Sequence, residues 1–247
     1  MLVDAHNHLQ DERFAGRQDQ LIAEARAAGV TGMLVNGSCE EDWPAVADLA
    51  RRHPGFVLPQ FGYHPWYVPA RTPHWLDQLR RQLDAFPGAG VGEIGLDRWK
   101  SDLPWDGQEE VFVAQLREAA ARNVLASIHC LQAWGRLVEL LEANPRPACG
   151  FLLHSYGGSA ELVDRLAPLG ALFSFPGYFA RPDKAHKLEA FRRVPAGRVR
   201  VETDAPDQLP PPELITHPLT DPAGQPINHP ANLPAIRDWL RAKGIAC

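Results

Sequence analysis

The chain has 247 residues, of which 45% are hydrophobic and 22% are charged, as is typical of a globular protein large enough for one α/β barrel or two small domains. No apolar run is long enough to cross a membrane, and Asp4 and His6 interrupt the first apolar run, so we expect a cytoplasmic protein without a signal peptide. The net charge of −5 argues against a protein that coats DNA. A nucleic-acid substrate is still compatible with this charge, because bound metal ions could supply positive charge locally.

Short apolar runs alternate with longer amphipathic segments along the chain. Eight strands are predicted, at residues 1–6, 31–37, 56–64, 90–97, 125–130, 150–156, 171–177 and 199–206. Helices are predicted at residues 17–28, 41–52, 74–85, 107–122, 133–143, 159–167 and 183–193, with a last helix at 231–243. This alternation indicates a parallel sheet, because parallel neighbours need a long crossover.

Eight strand signals favour a (β/α)8 TIM barrel over an open doubly wound sheet. Eight parallel strands close a barrel of about 250 residues, whereas an open sheet usually stops at roughly five or six strands. A Gly-rich phosphate loop, which the open fold often carries after its first strand, is missing here. We therefore predict one α/β domain over residues 1–247. Nine prolines between Pro206 and Pro234 predict a long loop on the top face after strand 8.

Histidines and carboxylates recur at the predicted carboxyl ends of the strands. His6 and His8 end the first strand, and their spacing of two points both imidazoles to one face. The later strands end in further polar residues, namely His64, Glu93, His129, His154, and the pair Glu202 and Asp204. Because barrel strands end on one rim, where barrel enzymes keep their active sites, we expect these side chains to converge.

Each of these residues has an ordinary explanation when it is considered alone. A histidine at a strand end is often a hydrogen-bonded structural residue, and Glu93 could form a simple ion pair. Together, four or more histidines with two or three carboxylates and no thiolate suit two adjacent divalent ions, which could be Zn, Mg or Mn. The two oxygens of Glu93 could bridge both ions.

Six short motifs carry these residues, and in chain order they are DAHNHL, GYHPW, GEIGLD, IHC, HSYGG and VETDAP. They resemble the successive motifs of the TatD-type metal-dependent hydrolases, a branch of the amidohydrolase-like TIM barrels, and the resemblance covers nearly the whole chain. It implies one ion held by His6, His8, Glu93 and Asp204. It implies a second ion held by Glu93, His129 and His154. It places His64 and Glu202 behind these ligands or facing the substrate.

The chain departs from the usual family pattern in three places. Leu131 stands where the family usually has an arginine, two positions after the fifth-strand histidine. Ala223 stands where an arginine usually precedes the asparagine of the Pro-rich loop. The family chain also usually continues through a further helix beyond Cys247, so we expect a shortened C-terminal end. The first two changes remove cations that could contact phosphate.

The resemblance implies a metal-dependent hydrolase, and the best-known substrates of this family are phosphodiesters of DNA. Two ions generate hydroxide at neutral pH, and Asp204 could bind an ion and accept the proton of the attacking water. A hydrolase of esters, amides or lactones on a small substrate is the alternative, because the same ions polarise a carbonyl. A metal-binding scaffold without activity is disfavoured, since the whole ligand set and the candidate base are present.

The loops near the predicted rim contain aromatic and basic residues. Trp66, Tyr67, Trp99 and Trp105 could stack on bases, and Arg13, Arg98, Lys100 and Arg181 could contact a phosphate chain, although packing and solvation are simpler roles. The four cysteines are scattered without paired spacing and are predicted to be free thiols. The sequence implies no membrane association and no stable protein partner.

Overall fold

A computed structural model describes residues 1–100 and 102–247, and its strands form one parallel sheet. The strands lie side by side in chain order, as β1 (Val3–Asn7), β2 (Gly32–Asn36), β3 (Val57–Phe61), β4 (Gly90–Asp97), β5 (Ala126–Leu131), β6 (Phe151–Leu153), β7 (Ala171–Pro176) and β8 (Val199–Glu202). The backbone N–H of Asp204 donates to the His6 carbonyl over 2.9 Å. The backbone N–H of His8 donates to the Ala205 carbonyl over 2.8 Å. These two bonds join the end of β8 to β1 and close the barrel.

Helices follow the strands and cover the outside of the barrel. They are α1 (Gln18–Ala27), α2 (Trp43–Arg52), α3 (Trp75–Ala85), α4 (Trp105–Arg122), α5 (Trp134–Ala143), α6 (Ala160–Leu166), α7 (Leu188–Arg193) and α8 (Leu233–Ala242). Each buries an apolar stripe, as α8 does with Leu233, Ile236 and Leu240. The predicted (β/α)8 TIM barrel is therefore confirmed. None of the described helices is both long and apolar enough to cross a membrane.

Several predicted elements differ from the observed ones at their ends. Strand β8 ends at Glu202 and not at residue 206, because Asp204 has a left-handed backbone with φ of 53° that cannot continue a strand. Strand β6 ends at Leu153 and leaves His154 just beyond it. The helix predicted at 183–193 begins as a 3-10 segment, Pro182–Lys187, and becomes α-helical only at Leu188.

The Pro-rich segment after β8 forms an ordered excursion over the barrel. It contains a two-stranded antiparallel ribbon, β9 (Leu219–Thr220) and β10 (Pro226–Ile227), and short 3-10 turns. The side-chain amide of Asn228 donates to the Thr203 carbonyl over 2.7 Å, and its backbone N–H donates to the Pro206 carbonyl over 2.8 Å. The buried Asn228 thus ties the excursion to the strand end that carries Asp204. The four cysteines are free thiols, as predicted.

Strand β4 is buried along its whole length and positions the centre of the rim. Side chains alternate along a strand, so Glu93, Gly95 and Asp97 share one face. A methyl group on Gly95, whose φ is +153°, would overlap the backbone carbonyl of His129 on β5. The missing side chain lets β4 and β5 approach closely at the level of the two acidic residues.

We expect Gly95→Ala to lower the free energy of unfolding by about 1–3 kcal/mol, because the added methyl forces these strands apart. The matched control is Gly135→Ala, in helix α5, where the added methyl meets nothing within 4 Å. The control should leave the free energy of unfolding unchanged or raise it by up to about 1 kcal/mol. Urea unfolding of both variants measures the difference, and equal midpoints would contradict the close approach.

Candidate metal centre

The carboxylate of Glu93 lies at the middle of the rim and is surrounded by imidazoles. Its Oε2 lies 3.3 Å from His6 Nε2 and 3.1 Å from His8 Nε2. Its Oε1 lies 2.8 Å from His154 Nε2 and 3.3 Å from His129 Nδ1. The two oxygens therefore face two different pairs of histidines, which is the arrangement expected of a carboxylate that bridges two ions.

Hydrogen bonds on the far side of the first pair of rings fix which nitrogen faces Glu93. His8 Nδ1 lies 2.9 Å from the Asn36 carbonyl, an acceptor, so the proton of a neutral His8 sits on Nδ1 and leaves Nε2 as a lone-pair donor. His6 Nδ1 lies 2.9 Å from the Ser127 hydroxyl, which holds the ring with its Nε2 toward Glu93. Both imidazoles thus present Nε2 to the cavity, as ligands of a metal would.

His129 is oriented by Asp97, a buried carboxylate on the same strand face as Glu93. Asp97 Oδ2 lies 3.0 Å from His129 Nε2 and accepts a 2.7 Å hydrogen bond from the Trp66 indole N–H. The proton of a neutral His129 therefore sits on Nε2, and Nδ1 is the free donor near Glu93. This carboxylate–imidazole pair is typical of metal-binding histidines.

His64 reaches the same carboxylate with a protonated ring nitrogen. Its Nδ1 accepts a 3.2 Å hydrogen bond from the backbone N–H of Trp66, so in the neutral ring the proton must sit on Nε2. Nε2 lies 3.5 Å from Glu93 Oε1. Burial lowers the pKa of His64 well below its ordinary value, which keeps the ring neutral. His64 thus offers Glu93 an N–H and not a lone pair.

Asp204 and Glu202 lie close in sequence but occupy different positions. Asp204 Oδ1 lies 3.7 Å from both His6 Nε2 and His8 Nε2, and its Oδ2 accepts a 2.6 Å hydrogen bond from Gln208. Glu202 lies behind His154, 3.8 Å from its Nδ1, and accepts bonds from the backbone N–H and hydroxyl of Ser155. Asp204 therefore faces the histidines of the cavity, whereas Glu202 supports the site from behind.

The electrostatics of the cluster favour positive charge around Glu93. Burial alone would raise the pKa of Glu93, but the imidazoles of His154, His64 and His6 outweigh it and hold that pKa well below the ordinary value. Burial would also lower the pKa of His8, yet the contact with Glu93 raises it to about 9. Burial raises the pKa of Asp204 to about 7.

The residues present fit divalent metal ions. Glu93 Oε1 is buried and accepts no hydrogen bond of good geometry, although imidazole nitrogens lie 2.8 to 3.5 Å away. Such an oxygen is rare in a native carboxylate unless it has another electropositive partner. Three sets of side chains have ligand atoms within 4.8 Å of one another: His6, His8 and Glu93; His6, His154 and Asp204; and His64, Glu93 and His129. Imidazole and carboxylate donors without thiolates suit Zn, Mn or Mg.

Comparison with known proteins places this chain in a family. The family model for TatD-related DNases matches residues 3–243. The chain belongs to that family. The family membership expected from the sequence motifs is confirmed. The expected class of enzyme, a metal-dependent hydrolase of the TatD type, is confirmed with it.

Curated relatives and solved structures of TatD type agree with this placement. The chain is 30% identical over 255 residues to a protein of Escherichia fergusonii named 3′-5′ ssDNA/RNA exonuclease TatD, covering 100% of this chain and 94% of the relative. A Pantoea protein of the same name is 30% identical over 210 residues, covering 85% of this chain and 81% of the relative. The crystal structure of a TatD homologue from Escherichia coli K12 superposes with a TM-score of 0.86 at 25% identity, covering 98% of this chain and 89% of that one.

A more distant structure shows the same fold. A TatD-family hydrolase of Entamoeba histolytica superposes with a TM-score of 0.83 at 17% identity, covering 99% of this chain and 92% of that one. The fold is thus shared at a level of identity that leaves few side chains in common.

The structure brings all eight residues predicted for the site to one rim, and it adds partners that the sequence analysis missed. Asp97 and Ser127 could have been found, because they lie on the same strand faces as Glu93 and His129, at spacings of four and two. Gln208 has no local signal, since it reaches Asp204 from the loop that follows β8.

We expect Asp97→Asn to weaken metal affinity by about 10- to 100-fold, the usual effect of removing the carboxylate behind a ligating histidine. The control is Asp84→Asn, which alters an exposed carboxylate 2.6 Å from Arg122 and should keep the wild-type affinity. Calorimetric titration of metal-free protein with Zn²⁺ or Mn²⁺ measures both. Unchanged affinity in a folded Asp97→Asn protein would show that His129 is oriented by other contacts.

Proposed function

We propose that this protein is a metal-dependent phosphodiesterase that removes nucleotides from the 3′ end of single-stranded nucleic acid, with residues 1–247 acting as one domain. The observation that carries the proposal is the set of four imidazole nitrogens facing the two oxygens of Glu93, with Asp204 beside one pair. The named activity of the TatD exonucleases that the chain resembles supports the choice of substrate.

In this proposal Glu93 would be a ligand of two ions. His6, His8 and Asp204 would be the further ligands of one ion, and His129 and His154 would be those of the other. His64 stays outside both sets, because its Nδ1 is already bonded and its Nε2 carries a proton. It could donate that proton in a hydrogen bond to a substrate oxygen. Glu202 holds the loop at Ser155 and lies beside the far nitrogen of His154.

Divalent ions, when bound, would lower the pKa of water and neutralise negative charge on the oxygens of the attacked phosphate. Asp204 would accept the proton of the attacking water, because it lines the cavity and has one oxygen free of protein hydrogen-bond donors. Gln208 holds its other oxygen and so keeps the carboxylate aimed at the cavity. Glu202 is fully buried, which leaves it unable to reach a substrate.

The cations predicted for phosphate binding are largely engaged within the protein. Arg13 makes a bidentate contact with Asp207 at 2.8 Å and a second one with Asp11. The Arg98 guanidinium lies 3.8 Å from the centre of the Trp105 ring. A strong, distributed grip on a long phosphate chain is therefore unsupported, and this favours a substrate that is bound mainly at its end.

A substrate panel tests the proposed function. Protein loaded with Zn²⁺, Mg²⁺ or Mn²⁺ is offered single-stranded DNA, the same DNA in a blunt duplex, and a carboxyl-ester reporter of small size. We expect stepwise shortening of the single strand from its 3′ end and slower attack on the duplex. Hydrolysis of the ester with intact DNA would instead establish the small-substrate alternative, which Leu131 in place of a cation favours.

Two substitutions separate the proton acceptor from a pure ligand. Asp204→Asn keeps the shape and one oxygen but accepts no proton, so we expect turnover to fall by about 10²- to 10⁴-fold with much of the metal retained. His129→Ala should lower activity by loosening one ion, and excess metal should restore part of it. Metal content and single-turnover rates measure both effects.

Near-normal turnover of Asp204→Asn at full metal occupancy would contradict the assignment of the base. Asp204 would then act only as a metal ligand.

A further inference from the structure

A cavity of about 550 Å³ opens onto the candidate metal centre. Its lining includes His129, His154 and Asp204 of the centre. It also includes Trp99 and Leu131, which we call the apolar wall. A ligand attacked at the centre could therefore also contact these two apolar side chains.

This apolar wall is exposed to a degree that is unusual for large side chains. Trp99 is 60% exposed and Leu131 is 40% exposed. Exposed large apolar residues in the described part of the chain are Met1, Leu58, Tyr67, Trp99 and Leu131, and the last three line cavities that open onto the centre. Grouped exposed apolar side chains at a cleft mark a surface that a ligand covers.

Trp99 differs from the other tryptophans that flank the centre. Its backbone N–H donates to Asp97 Oδ1 over 2.7 Å, which ties the residue to the end of β4. The Trp66 ring is covered by Lys100 Nζ at 3.7 Å, and the Trp105 ring by Arg98. Within residues 1–100 and 102–247, no other aromatic ring or cation stacks on Trp99. Its backbone is anchored, and its ring face is left open.

We propose that Trp99 and Leu131 bind the face of the unpaired nucleobase at the 3′ end being cleaved. The proposal rests on the proposed function and adds a base-binding subsite to it. Every base has a flat π-face, so stacking on an indole tolerates any sequence but requires a base that is not paired in a duplex. Since the nearby arginines are engaged, stacking supplies binding energy that phosphate contacts do not.

The first test measures binding of the expected product and needs no turnover. Metal-loaded protein is titrated calorimetrically with thymidine 5′-monophosphate and with deoxyribose 5-phosphate, which lacks only the base. We expect the wild-type protein to prefer the nucleotide by about 5- to 150-fold, the range for one stacked base. Trp99→Ala should remove this preference without weakening the sugar phosphate, and Trp99→Phe should restore most of it.

The second test measures cleavage of two single-stranded oligonucleotides that differ only in whether the 3′-terminal nucleotide carries a base. Trp99→Ala should lower kcat/KM for the normal end, mainly through KM, and leave the abasic end unchanged. Tyr67→Ala is the control, because Tyr67 is a similarly exposed aromatic residue on the adjoining cavity. It should leave the preference for a base intact.

Equal losses on both ligands in Trp99→Ala, or loss of the base preference in Tyr67→Ala, would overturn the subsite. Wild-type protein that cleaves both oligonucleotides equally, with no effect of Trp99→Ala, would overturn the subsite while the proposed nuclease activity stands. A protein that cleaves neither oligonucleotide but hydrolyses the carboxyl ester, and does not prefer the nucleotide in calorimetry, would overturn both.

Discussion

The buried carboxylate of Glu93 is the constraint on which the rest of the rim depends. A buried negative charge is strongly unfavourable unless electropositive groups surround it. Here five imidazoles, from the ends of β1, β3, β5 and β6, lie within 2.8 to 3.5 Å of its two oxygens. The barrel satisfies this requirement because parallel strands bring their carboxyl ends to one level, and Gly95 allows β5 to lie close beside β4.

The hydrogen-bond partners behind the histidines determine which ring nitrogen each one turns toward Glu93. Ser127, the Asn36 carbonyl and Asp97 each bond one ring nitrogen and so decide which nitrogen faces Glu93. The same principle disfavours His64 as a metal ligand. Its Nδ1 accepts a hydrogen bond from the backbone of Trp66, so its proton lies on the nitrogen that faces Glu93. Histidines with similar burial are thus sorted into lone-pair donors and an N–H donor by groups that never enter the cavity.

Asp97 links this centre to the surface beside it. One oxygen bonds His129 and the Trp66 indole, and the other holds the backbone of Trp99. The orientation of a candidate metal ligand and the position of the apolar wall therefore depend on the same carboxylate. Such a shared anchor would keep the distance between the metal centre and a bound base fixed.

The sequence alone determined the barrel and the residues at its rim, because strand alternation, the βα rhythm and the position of a residue at a strand end are local properties of the chain. The tertiary structure decided what those residues contact. Engagement of Arg13 by Asp207, of Trp66 by Asp97 and of Asp204 by Gln208 joins different loops or turns of the chain. Such contacts decide which ring nitrogen of each histidine carries a proton, which arginines are already paired, and which tryptophan leaves its ring face open. No local pattern encodes these contacts, because they form only when the closed barrel brings distant loops together.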